Sequence, residues 1–201
     1  MIKALLLILE PMTAWDRIVR AQRSIKQVLF VFLLPLLGLG ALAEGSGLVF
    51  FGKPQQGLGQ FKQFAPGEAV VFEVGQVLLS IGIVFISARI IKSFGETFQG
   101  RHSFTRTFTT VAYGLSPLFA LRVLDGFPGV NPWLSWGIGI LLSMRVLYHG
   151  VPRVMLPDPP QAFGLYLISS ILLVLTTGLA RFLTAWYLEG RFKPVAELLP
   201  T

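Results

Sequence analysis

The side chains able to do chemistry in this chain are few, and most lie inside apolar runs. Arg145, Tyr148 and His149 fall within one apolar stretch. His149 is four residues after Arg145, so on a helix the two share a face, with Tyr148 beside them. Thr109, Thr110, Tyr113 and Ser116 occupy a comparable depth of the preceding stretch. Together they predict a polar seam that could take an anion or a lipid headgroup. A structural reading stands beside it, in which carbonyls and hydroxyls hold Arg145 or its guanidinium snorkels to headgroups. A second charged set contains Glu44, Glu73, Arg122, Asp125 and Arg181. Opposite charges at one depth pair to lessen the cost of leaving water. The preferred structural ion pair is Glu73 with Arg181.

Catalytic constellations are missing. The two histidines, His102 and His149, have no partner at metal-ligand spacing, and there is no Cys to supply a thiolate. No Gly-x-Ser-x-Gly and no phosphate loop is present. The serines in the apolar runs fit helix-packing positions. The expectation is a protein that is not an enzyme and uses neither metal nor cofactor.

What must position these residues is a set of membrane helices. Mean hydropathy is +0.68 and charged residues make up 13% of the chain, about half the share in soluble domains. Five apolar runs approach the ~20 residues that cross a ~30 Å hydrocarbon core. They cover about 28–51, 69–91, 104–124, 132–151 and 161–188. Backbone groups cannot go unpaired in lipid, and the runs do not alternate as barrel strands do, so each reads as a helix. The fold class is an all-α integral membrane bundle of five transmembrane helices. Residues 1–27 read as a cytoplasmic or interfacial amphipathic segment, 28–190 as the membrane domain and 191–201 as a short extracytoplasmic tail. Pro35 and Pro117 interrupt the first and third runs and predict kinks. Gly137 and Gly139 predict bending in the fourth.

Met1–Leu9 is apolar but too short to span, and it lacks a cleavage signal. It reads as a helix lying on the membrane surface. Thr13 is expected to cap a second helix, with Asp16 three residues on. There Trp15, Ile18, Val19, Gln22 and Ile25 recur at helical spacing, with Arg17, Arg20, Arg23 and Lys26 between them. A basic amphipathic helix with a Trp suggests an in-plane segment on anionic lipid. Trp15, Arg17, Arg20, Arg23 and Lys26 are the expected lipid-surface contacts.

Net charge is +7. Because the basic residues sit between apolar runs, they fit anionic headgroups and not nucleic acid. Lys3, Arg17, Arg20, Arg23, Lys26, Arg89, Lys92, Arg101, Arg106, Arg145 and Arg153 fall on one side. Lys53, Lys62, Arg122, Arg181, Arg191 and Lys193 fall on the other. The positive-inside rule then places the N-terminus in the cytoplasm and the C-terminus outside.

Several segments carry a resemblance. They are Pro11-Met12-Thr13-Ala14-Trp15, Ser93-Phe94-Gly95 through Gly100-Arg101, and Thr109 through Pro117. Leu147-Tyr148-His149-Gly150-Val151-Pro152 and Pro159-Pro160-Gln161-Ala162-Phe163-Gly164 extend it over nearly the whole chain. On these the chain resembles the YIP family, the Ypt/Rab-interacting membrane proteins, and in particular its short bacterial members. The resemblance implies five spanning helices, a cytoplasmic N-terminus and a bacterial inner membrane. Longer members carry an N-terminal Asp-Leu-Tyr-Gly-Pro-type motif linked to small GTPases. This chain lacks it, so small-GTPase binding is not carried over. The expected role is a non-enzymatic scaffold or adaptor organising membrane lipids or protein partners, as a monomer or an oligomer. The alternative is a small transporter or channel using the seam between the third and fourth spans.

Overall fold

A computed structural model of the chain describes residues 2–54, 61–97 and 103–188. Arg101 and His102, the end of the membrane domain and the tail from 191 lie outside them. Two short helices, α1 (Ile2–Leu9) and α2 (Pro11–Ala21), precede five helices long and apolar enough to cross a membrane. Span one is Ile25–Phe50, span two Pro66–Thr97, span three Phe104–Gly126, span four Pro132–Met155 and span five Pro159–Leu188. The fold is an all-α membrane bundle. The one departure among the described residues is a two-residue ladder pairing Lys53–Pro54 with Phe61–Lys62 between spans one and two.

The two prolines act where the sequence places them. Pro35 has no N–H for the carbonyl of Val31, and the turn just before it, Leu29–Leu33, widens to π geometry. Span three breaks at Leu115, whose ψ of 0° leaves the helical range, and Pro117 starts the next helical segment, Ser116–Leu121. That segment ends in a 3-10 turn, Arg122–Gly126. Gly139 is not a hinge. A Cβ there would come within 2.9 Å of the Leu118 Cα, so this glycine lets span four lie directly on span three.

Span three is the core of the bundle. Phe108, Val111, Ala112, Tyr113 and Leu115 are all buried, among Phe32 of span one, Val84 and Ile91 of span two and Leu147 of span four. Its Thr109 and Thr110 hydroxyls donate to carbonyls four residues back, and Ser116 to the Tyr113 carbonyl. These polar groups are therefore satisfied within their own helix.

The amino-terminal helices depart from the expectation. α1 rests on protein along one face, leaving Leu5 and Leu9 exposed. It packs against Ser116–Leu121, the middle of span three, and against span four, with Ala4 and Leu7 buried. At Glu10-Pro11 the chain turns, and α2 runs along the end of span four. The helix begins at Pro11, where a missing N–H costs nothing, and not at Thr13. The Thr13 hydroxyl instead donates to Glu10. Asp16 reaches Arg153 of span four, at 3.4 Å.

Candidate functional site

The expected seam between spans three and four does not assemble, and the reason is helical phase. Ser143, Val146, Leu147, Gly150 and Val154 form the buried face of span four. Arg145 lies on the opposite, exposed face with Leu141 and Tyr148, the latter 53% exposed. Tyr148 meets His149 and Tyr166 of span five edge-on. Tyr113, Thr110 and Ser116 stay on the buried side. The place intended for a polar ligand is taken by Trp15.

Trp15 is fully buried, so it is not a lipid-surface contact. Its indole Nε1 donates to the Val146 carbonyl at 2.9 Å. Its ring meets Tyr113 edge-on at 6.3 Å, and Phe32 stacks on the other side of Tyr113 at 4.1 Å. Gly150 makes the space: a Cβ there would stand 2.4 Å from the indole. The notch fixes α2 against span four and determines which residues it presents. On α2 these are Arg17 and Arg20, both exposed; the helix ends at Ala21, short of the expected basic stretch, so Arg23, half-buried beside Tyr113, lies in the link and Lys26, exposed, in the first turn of span one.

At this amino-terminal end a cavity of about 290 Å³ opens between α2, the start of span three and the end of span four. Arg23, Arg106 and Arg153 line it, with Ser103, Thr105 and Thr109. Their sequence positions assign Arg106 and Arg153 to a side of the membrane, not to a site. The packing of span three on span four brings them together, and the docking of α2 on span four adds Arg23.

Six charged side chains converge at the far end. Arg122 donates through Nε to Glu44 Oε2 at 2.8 Å and through Nη2 to Glu73 Oε2. Arg181 donates to Asp125 Oδ2 at 2.9 Å. Lys53 Nζ donates to the Asp125 backbone carbonyl at 2.7 Å. The preferred pair is therefore corrected: Glu73 belongs to Arg122 and Arg181 to Asp125. The 3-10 turn explains the division, since it projects Arg122 and Asp125, at i and i+3, from one side of the chain. Each then reaches a different neighbouring helix. Glu44 is 1% exposed and Arg122 9%, so their attraction is little screened by solvent.

Small residues make the approach possible. A Cβ on Gly47 would stand 2.2 Å from the Gly126 carbonyl oxygen, and one on Gly126 2.3 Å from that of Ala43. Span one and the end of span three thus touch backbone to backbone, with Glu44 held between Gly40 and Gly47. Among the described residues, Arg122 Nη1, Asp125 Oδ1 and Ser135 Oγ have no hydrogen-bond partner. All three residues line a cavity of about 70 Å³ shared with spans two and five, room for about two waters. No cluster of metal-ligating side chains exists among the described residues.

No curated protein and no solved structure matches the chain. A family model described as the Yip1 domain matches residues 5–181. That match runs from α1 into span five and takes in the Trp15 notch, the basic cavity and the far charge cluster. The chain belongs to the Yip1-domain family of membrane proteins.

Proposed function

We propose that the protein is a non-enzymatic membrane scaffold whose contact surface is the end carrying α1 and α2. The observation that carries this is the Trp15 notch. It holds α2 at one angle, so that Arg17 and Arg20 stay exposed on a rigid support, with Lys26 exposed nearby in the first turn of span one. Lys and Arg outnumber their counterparts at the other end of the spans, which favours a cytoplasmic placement of this surface. Anionic lipid headgroups are the fitting partner, at about 1 kcal/mol per basic residue near the surface. Lys92 is less available, being paired with Glu96 at 2.8 Å. The transporter reading loses its support, because Arg145 faces away from span three.

The test is the lipid shell retained by protein reconstituted from a mixed neutral and anionic pool. The wild type is expected to enrich anionic lipid several-fold, and high salt to reduce the enrichment. Changing Arg17, Arg20 and Lys26 together to Gln should bring the shell close to the bulk composition. An unchanged shell in that variant would sink the proposal. Arg145→Ala should leave the enrichment as it is.

A further inference from the structure

The cavity between α2, span three and span four has a composition that a general lipid surface does not need. Three arginines line one space of about 290 Å³: Arg23 from the link after α2, Arg106 from span three and Arg153 from span four, the last also donating to the His149 carbonyl. Span three begins there. The Ser103 hydroxyl caps its first turn by accepting from the Arg106 N–H, and Ser103 and Thr105 of that turn line the cavity. A guanidinium cluster with first-turn N–H groups is oxyanion chemistry. The net charge discriminates further. Asp16 pairs with Arg153, so among the described residues the three arginines lining this cavity carry a surplus of two. A phosphate diester brings one negative charge, whereas a monoester brings about 1.5 to 2 near neutral pH.

A second cavity of about 170 Å³ adjoins the first and shares Ile18 and Arg23 with it. Leu6, Ala14 and Ala21 make much of its wall apolar, with the Tyr113 ring at one side and Arg17 also lining it. A ligand with a phosphoryl head and an apolar stem would fill both. We propose that this pair of cavities binds a phosphate monoester, with a phosphomonoester lipid as the favoured source. The proposal rests on the reading of this end as the lipid-facing surface, and it adds a single selective site to that surface.

The experiment uses the full chain in nanodiscs of phosphatidylcholine containing phosphatidic acid, a monoester, or phosphatidylserine, a diester. Lipid that stays bound is measured by native mass spectrometry after transfer to detergent. The wild type is expected to retain one phosphatidic acid in preference to phosphatidylserine. Arg106→Gln should lower that retention about tenfold, the scale of one charge-assisted hydrogen bond. Arg153→Lys, which keeps the charge but removes the fork, should lower it less. Arg89→Gln, an exposed change away from the cavity, should not lower it. Glycerol phosphate and inorganic phosphate are added in a second arm. Displacement of the lipid, or binding of either in its absence, would assign the same chemistry to a soluble phosphoester. Equal retention of both lipids, or indifference to both Arg106→Gln and Arg23→Gln, overturns the site. If bulk enrichment through Arg17, Arg20 and Lys26 persists in that case, the surface reading stands alone. Selective retention without bulk enrichment would keep the site and remove the surface.

Discussion

The two ends of this bundle handle charge in opposite ways. At the far end Glu44, Glu73 and Asp125 are matched by Arg122, Arg181 and Lys53, and salt bridges tie spans one, two and five to span three. At the amino-terminal end Arg17, Arg20, Arg23, Lys26, Arg106 and Arg153 face Asp16 and Glu10. The first arrangement is closed and balanced, and its charges serve the fold. The second is open and, among the described residues named, carries an excess of basic side chains. Depth alone does not separate them, since both ends meet the membrane boundary. Burial and pairing do.

The contrast can be broken at several points. Arg122→Leu should have the largest effect, because it leaves Glu44 and Glu73 buried without their cation. A loss of about 3–5 kcal/mol is expected by thermal or denaturant unfolding in detergent. Changing Glu44 and Glu73 to Gln in the same chain should recover much of it; no recovery would mean that Arg122 acts through packing. Trp15→Ala comes next, at about 3 kcal/mol, the scale of emptying a large buried aromatic. It should also expose α2 to protease while the five spans stay folded. A smaller effect resolves the pairing. A double-mutant cycle between Asp125→Asn and Arg181→Leu should show coupling of about 1 kcal/mol, whereas one between Glu73→Gln and Arg181→Leu should add within about 0.5 kcal/mol. Coupling in the second cycle would restore the Glu73–Arg181 pair. Least of all, Arg145→Leu should change stability by no more than about 0.5 kcal/mol, as expected for an exposed position.

Much of the architecture is legible in the sequence because lipid admits so few solutions. Five apolar runs correspond to five helices, with ends shifted by a few residues, as at Pro66 and Thr97 of span two. The rotation of each helix is harder to read. Arg145 and Val146 are adjacent, yet one faces out and the other receives the Trp15 indole. Counting residues gives depth, but facing depends on neighbours. The far cluster has a signal in the spacing of Gly40 and Gly47 around Glu44, which marks a close crossing. Nothing in the sequence names Gly126 as the other side. α1 departs from its expected place for a related reason. Eight residues, seven of them apolar, are too few to span, and such a helix can rest on lipid or on protein; here it packs against spans three and four.

The Trp15 notch also sets an order of events during synthesis. The indole and the Val146 carbonyl it bonds are 131 residues apart. A ribosome adding about 5–20 residues per second needs on the order of ten seconds to make that stretch. For that interval α2 has been made and its notch has not. Its basic side is free to meet the membrane before its apolar side has a seat, and the helix settles only when the fourth span arrives.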